Sequence, residues 1–254
     1  MSSFVMSDIH GDKKRFFEML KKIKFNSKDT LYIIGDILDR GDGSFEIYDY
    51  IMKQKNIHFL LGNHEVALLN VNRCIEKEKW EELKLWKSYW FEGHGEETYT
   101  MFFGEWEQEQ RNKYLDFLKK CNIDLLIKVG KKYHYLVHAG IANDVFEKVQ
   151  NRRIMQDLVN GKYDVLVREL KGGYYETSIG LLTKEEKLKA KEDGWIINPT
   201  IWFGHTPTIY QQSGIPRIWK KENFRNIDCG CCGYSNRGRL CCVNLQTEEE
   251  FYIE

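Results

Sequence analysis

Proline is nearly absent from this chain, with three residues in 254, all past residue 198. No Pro-, Ser- or Gly-rich stretch divides it, and the length suffices for one large α/β domain, so residues 1–254 read as a single domain. An excess of either charge is missing too. Lys plus Arg and Asp plus Glu number 38 each, which leaves no basic field of the kind that non-specific nucleic-acid binding relies on, and no nucleic-acid partner is expected. No apolar run approaches the roughly 18–20 residues of a membrane span. Met1-Ser2-Ser3-Phe4 enters a strand-like run without a basic-then-apolar signal pattern, so the expectation is a cytoplasmic chain with no membrane partner. A disulfide framework is not indicated either. Seven Cys is an odd number, and five crowd into Cys229, Cys231, Cys232, Cys241 and Cys242, a spacing unlike the paired C-x-x-C of zinc sites. They read as small buried apolar residues of a C-terminal hairpin whose turn is Gly233-Tyr234-Ser235-Asn236-Arg237-Gly238.

What the chain does have is three short apolar runs, each ending in a polar cluster. Phe4-Val5-Met6 leads to Asp8-x-His10, Leu31-Tyr32-Ile33-Ile34 to Gly35-Asp36-Ile37-Leu38-Asp39-Arg40-Gly41, and Ile57-His58-Phe59-Leu60-Leu61 to Gly62-Asn63-His64-Glu65. Such runs, bounded by Gly or Asp, have the form of buried strands. Between them, Asp12 to Ile23 and Phe45 to Met52 carry apolar residues at helical spacing, which predicts two βαβ units and a parallel sheet. Ligand-binding groups of such sheets collect beyond the carboxyl ends of the strands, where all three clusters fall.

Residues 66–120 read as a helical insertion. Its aromatic stripe, including Trp80, Trp86 and Trp90, fits core packing better than a substrate shelf. Leu125 to His138 predicts a hairpin turning at Gly130-Lys131-Lys132. Thr200-Ile201-Trp202-Phe203 leads into Gly204-His205-Thr206-Pro207, and Arg217 to Tyr252 reads as several short, mostly antiparallel strands. The sum is β/α followed by β, which suits a two-sheet sandwich with helices outside.

The order Asp8-x-His10, Gly35-Asp36-x-x-Asp39-Arg40-Gly41, Gly62-Asn63-His64-Glu65, then Val137-His138-Ala139-Gly140 and Gly204-His205, resembles the phosphoprotein phosphatase (PPP) family of calcineurin-like metallophosphoesterases, nearest to its bacterial and phage-type enzymes. Each motif alone is weak evidence, whereas five in order are specific. The resemblance implies a four-layer αββα sandwich of two mixed sheets. It also implies two divalent metal ions, most simply Mn2+ with Fe or Zn as alternatives. Asp8, His10 and Asp36 would hold one, and Asp36, Asn63, His138 and His205 the other. An ion pair about 3.5–4 Å apart can generate a hydroxide nucleophile at neutral pH. The resemblance further gives His64 as general acid, Asp39 as the carboxylate that orients it, and Arg40 and Arg168 as the arginines that fork onto phosphate, with Arg152 or Arg153 as alternatives to Arg168.

Asp39 and Glu65 look more like the protein-phosphatase branch than like the symmetrical dinucleoside tetraphosphate hydrolases, which usually show Ala and Asp there. The expected substrate is therefore a phosphoserine or phosphothreonine protein or peptide. A dinucleoside polyphosphate or other small phosphoester is the alternative, and a non-catalytic phospho-binding scaffold is a third reading. Asp42, where many relatives have Pro, is expected to add negative charge at the phosphate entrance.

Overall fold

A computed structural model describes residues 1–139, 200–232 and 237–254. β1 (Ser3–Met6), β2 (Thr30–Ile34) and β3 (Ile57–Leu60) lie parallel and adjacent, joined by α1 (Lys13–Lys22) and α2 (Ser44–Ile51) as the periodicity predicts. α1 starts where the Asp12 carboxylate accepts the Arg15 backbone N–H at 2.9 Å, and it ends on Lys21 and Lys22, whose charges suit the negative end of the helix dipole. Its buried face of Phe16, Met19 and Leu20 contributes about 1.5–3 kcal/mol per side chain by leaving water.

The insertion is helical, as expected. α3 (Asn63–Glu76), α4 (Trp80–Glu92), α5 (Glu96–Tyr99), a π-helical turn (Thr100–Glu105) and α6 (Gln108–Leu118) follow β3 without an intervening strand. Trp86, Trp90, Phe102, Tyr114, Leu115 and Leu118 join the core on that side of the first sheet. Phe45 of α2 meets Trp106 and Tyr114 at ring separations of 4.4 and 4.8 Å, so the insertion is welded to the sheet's own helical layer.

The first sheet is completed by β9 (Leu240–Asn244) and β10 (Glu250–Ile253), in the order β10-β9-β1-β2-β3. The second contains β4 (Asp124–Val129), β5 (Lys132–Val137), β6 (Thr200–Phe203), β7 (Trp219–Lys221) and β8 (Phe224–Asn226), in the order β4-β5-β6-β8-β7. Both sheets are mixed. β5 with β6 and β6 with β8 run parallel, whereas β4 with β5, β7 with β8, β9 with β10 and β9 with β1 are antiparallel, so the second half is mostly antiparallel as the sequence suggested. Val5, Ile34 and Leu60 of the first sheet and Leu136 and Trp202 of the second share one apolar cluster, the interior of a sandwich with helices outside it. This is the calcineurin-like α/β architecture. The expected fourth layer, over the far face of the second sheet, is not tested by the described residues.

Of the expected cysteine-rich hairpin, the two arms meet where the Arg239 backbone N–H donates to the Cys229 carbonyl at 3.0 Å, but the first arm is not a strand. Cys229–Cys232 is an irregular segment, and β9 makes its hairpin with β10 instead, through a turn closed by Glu248 N–H to Asn244 carbonyl at 2.7 Å. The expected turn at 233–238 lies largely outside the described residues. The burial reading holds: Cys74, Cys229, Cys231, Cys241 and Cys242 are buried, and successive Cys241 and Cys242 face different apolar clusters across the first sheet. Cys121 and Cys232 are partly exposed, yet burial pushes the Cys121 thiol up to about 12 and raises that of Cys232. Since thiolate is the reactive form, native protein at pH 7.5 should take up iodoacetamide slowly and at no more than these two positions, with all seven labelled after denaturation. Intact mass spectrometry reads the count, and rapid native labelling of Cys241 or Cys242 would contradict this packing.

Candidate active site

The three motifs occupy the loops leaving the carboxyl ends of β1, β2 and β3. Tight loops at adjacent strand ends need unusual backbone. Of the twelve non-glycine residues with positive φ among those described, six are Asp8, His10, Asp36, Asp39, Arg40 and His205. Left-handed conformations cost L-residues free energy and concentrate where function demands them. Glycine makes the close approach possible: a Cβ on Gly62 would collide with Asp36 Oδ1, and one on Gly204 with Asp8 Oδ2.

Glu65 holds the loops together. Its carboxylate is fully buried and accepts the backbone N–H groups of Asp36 (3.0 Å), Ile37 (2.9 Å), Leu38 (3.1 Å) and Gly62 (2.8 Å), together with the Tyr48 hydroxyl (2.7 Å). One side chain thus caps α3 and ties the β2 loop to the β3 loop. The sequence had suggested Glu65 only as a marker of substrate branch, whereas its contacts are architectural. Glu65→Ala, which leaves four backbone N–H groups without this acceptor, should lower stability by about 2–4 kcal/mol in a urea melt. A change under about 0.5 kcal/mol would mean the loops hold without it.

The candidate ligands converge on Asp36. One donor atom from each of His10, Asp36 and His64 lies within 4.8 Å of the other two, and the same is true of Asp36, His138 and His205. Asp36 Oδ2 is 3.2 Å from His138 Nε2, 3.6 Å from His10 Nε2 and 3.8 Å from His64 Nε2. Asn63 Oδ1 lies 3.0 Å from His138 Nε2 and 2.7 Å from His205 Nδ1. The remaining ring nitrogens set the tautomers: His10 Nδ1 faces the Leu38 carbonyl at 2.8 Å and His138 Nδ1 that of Ile34 at 2.9 Å, so each Nε2 turns inward. Asp8 stands behind this cluster. Its carboxylate accepts the His205 backbone N–H at 3.0 and 3.1 Å and a hydrogen bond from Ser7. Of the trio expected around the first ion, His10 and Asp36 converge directly, with His64 nearer the focus than Asp8.

Protonation matches a cation site. Burial alone would raise Asp36, but His138, His64 and His10 hold it well below the usual carboxylate range. Burial and the neighbouring His138 depress His205 to about 3, while burial and Arg40 lower His10, so both rings are neutral and can donate lone pairs. His138 differs: despite burial, Asp36 keeps it protonated up to about 10 without an ion, and a cation at Nε2 would have to displace that proton. Burial lifts Asp8 to about 6. A carboxylate, an amide oxygen and inward-facing imidazoles are donors suited to Mn, Fe or Zn, and the residues fit a divalent pair.

His64 Nδ1 meets Asp39 Oδ2 at 2.5 Å, as expected for an oriented imidazole. Burial works against its protonation, but Asp36 and Asp39 outweigh burial and raise its pKa. Asp36, Arg40, Asn63, His64 and His205 line a cleft of about 280 Å³, whose far wall is Tyr89, Trp90, Glu92 and Gly93. Arg40 thus shares the cleft with the candidate ligands. Arg168, Arg152 and Arg153 lie outside the described residues. Asp42 is exposed with Lys13 Nζ 3.8 Å away, so its charge at the entrance is partly balanced.

Two contacts carried no sequence signal. Trp90 donates its indole N–H to Asp39 Oδ2 at 2.6 Å. Asp228 is buried, accepts the Gly230 N–H at 2.8 Å, and is raised far above the usual carboxylate range by burial and by nearby Asp8. The aromatic stripe marked Trp90 for burial and not for this contact, and no motif marked Asp228.

The sequence profile of the calcineurin-like phosphoesterases matches residues 1–229. The chain belongs to that family. Calcineurin-like phosphoesterases are metal-dependent hydrolases with two divalent ions, which agrees with the convergent donors around Asp36. Among curated relatives, a symmetrical bis(5'-nucleosyl)-tetraphosphatase of Buchnera aphidicola (subsp. Schizaphis graminum) is 41% identical over 144 residues, covering 56% of this chain and 45% of the relative. One from Wigglesworthia glossinidia brevipalpis is 43% identical over 84 residues, 32% of this chain and 31% of the relative. The chain thus spans less than half the length of these relatives. Among solved structures, a diadenosine tetraphosphatase so described provisionally superposes with a TM-score of 0.54 at 16% identity, over 99% of this chain and 92% of that one. A cold-active protein tyrosine phosphatase gives 0.61 at 17%, over 100% and 80%. A Saccharomyces cerevisiae protein serine/threonine phosphatase gives 0.55 at 13%, over 100% and 79%. At these identities the structures attest the shared fold alone. Among the described residues, no helix is long and apolar enough to cross a membrane.

Proposed function

We propose that this phosphoesterase cleaves dinucleoside polyphosphates. The observation that carries the reading is that the curated relatives at 39–43% identity are named as symmetrical bis(5'-nucleosyl)-tetraphosphatases. This reverses the substrate order expected from Asp39 and Glu65. Glu65 is occupied by loop backbone and so says little about what enters the cleft. The cleft lining also includes an aromatic, half-buried Tyr89, against which a base could rest. Trp86 and Trp90 are buried, as the core-packing reading of the aromatic stripe expected, and offer no such surface.

Two bound divalent cations, Mn2+ first among the candidates, supply activated water and neutralise charge on phosphate oxygens. Asp36, His10, Asn63, His138 and His205, with Asp8 beside them, would hold the pair. Arg40 presents a planar fork to phosphate that Lys cannot reproduce. Arg40→Lys should raise KM and lower kcat/KM by about 1.5–3 kcal/mol in steady-state assays, and unchanged kinetics would remove Arg40 from phosphate binding.

A second reading, a phosphoprotein phosphatase, is favoured by the His64–Asp39 pair. A phosphate leaving group, with a second pKa of about 6, departs without a proton, whereas a serine alkoxide needs one. The deciding assay compares kcat/KM for diadenosine tetraphosphate and for a phosphoserine peptide under one metal. A preference for the dinucleotide, reduced by Tyr89→Ala, supports the first reading. Higher kcat/KM on the peptide replaces it with the second.

A further inference from the structure

The end of α4 lies against the two residues that set up proton donation, and it does so through groups whose chemistry is specific. Asp39 Oδ2 receives two donors, His64 Nδ1 at 2.5 Å and Trp90 Nε1 at 2.6 Å. All three side chains are buried. Asp39 itself sits at φ +70°, a left-handed backbone conformation that is uncommon for a non-glycine residue and that the surrounding contacts must hold. The other carboxylate oxygen, Oδ1, finds no hydrogen-bond partner among the described residues, so the two N–H groups converging on Oδ2 fix its orientation.

Trp90 is in turn held. A Cβ on Gly95 would collide with the indole, and the Tyr99 ring packs on it edge-on at 6.2 Å. Gly93, one turn beyond, lies so close to His64 that a Cβ there would come within 2.9 Å of Cε1 and 3.2 Å of Nε2. The segment 90–95 thus closes over His64 and Asp39 together. Simple core filling requires an aromatic at position 90 but no N–H aimed at a carboxylate.

We infer that Trp90 is a positioning residue for proton donation: its indole N–H pins Asp39, which in turn holds His64 toward the leaving oxygen. The helical insertion is then part of the catalytic apparatus and more than a wall of the cleft. This rests on His64 acting as the proton donor.

The test is Trp90→Phe, which keeps an aromatic ring and removes the N–H, assayed with Mn2+ on an alkyl phosphate and on nitrophenyl phosphate, with His64→Asn alongside. Turnover on the alkyl ester should fall about 10-fold at unchanged KM, with a smaller loss on the aryl ester, in keeping with the cost of removing an outer hydrogen bond from a site. Equal kcat for Trp90→Phe and wild type on both esters, while His64→Asn discriminates them, overturns the inference and leaves the role of His64 standing. A His64→Asn variant that treats both esters alike overturns the inference through its foundation. If Trp90→Phe does not fold, indole 15N–1H spectra of the wild-type and Asp39→Asn proteins decide. One of the seven indole N–H resonances should lie far downfield and return upfield on loss of the carboxylate, and spectra that superpose overturn the proposal.

Discussion

Asp36→Asn is expected to lower kcat by on the order of 10³-fold or more while leaving the fold in place. Loss of one preorganised electrostatic group in an active site costs about 10²–10³-fold, and Asp36 stands in both donor groups, so two centres are weakened at once. The change is isosteric, and the side chain lies beyond the end of β2, outside the apolar clusters. The circular dichroism spectrum and the melting temperature of the metal-free protein should therefore change little. Metal content by plasma emission should fall from two ions per chain, and full loading with normal turnover would refute a shared carboxylate.

The site was legible in the sequence to the extent that its chemistry is local. Asp8 and His10, Asp36 with Asp39 and Arg40, and Asn63 with His64 each sit within a few residues of one another at the end of an apolar run, and a parallel sheet brings such ends together without further information. His138 and His205 were legible for the same reason, since each follows a strand, β5 or β6, of the second sheet.

What escaped is what pairs across distance without periodic signal. Trp90 reaches Asp39 over 51 residues, and its spacing within α4 is that of any core aromatic, so burial was readable and the direction of its N–H was not. Asp228 has no motif of its own and is placed beside Asp8 only by the strand order of the second sheet and the segment after β8. The two parallel pairings, β5 with β6 and β6 with β8, within an otherwise antiparallel second half had no sequence signal because long connections hide strand direction. The irregular form of Cys229–Cys232 was not legible because buried Cys alternates no more clearly in an irregular segment than in a strand. Glu65 was read for the identity of its neighbours, and its five hydrogen bonds show that a buried acid after a strand can be committed to backbone.

His64→Asn should separate substrates by their leaving groups. General acid catalysis contributes about 10²–10⁴-fold when the departing oxygen is a basic alkoxide, and little when it is a phosphate or an aryl oxide. Turnover on a phosphoserine peptide or an alkyl phosphate should fall by about that range, while diadenosine tetraphosphate and nitrophenyl phosphate should lose less than about 10-fold. The pH profile carries the sign. The donor must be protonated, and Asp36 and Asp39 raise its pKa against burial, so the wild-type rate on the alkyl ester should hold through neutrality and decline as pH rises through that raised value. Asp39→Asn removes part of the raising influence and should move the decline to lower pH, whereas His64→Asn should abolish it. Equal losses on alkyl and aryl esters, with the alkaline limb unchanged in both variants, would assign the proton elsewhere and leave the buried His64–Asp39–Trp90 chain as an architectural tie between the β2 loop and the helical insertion.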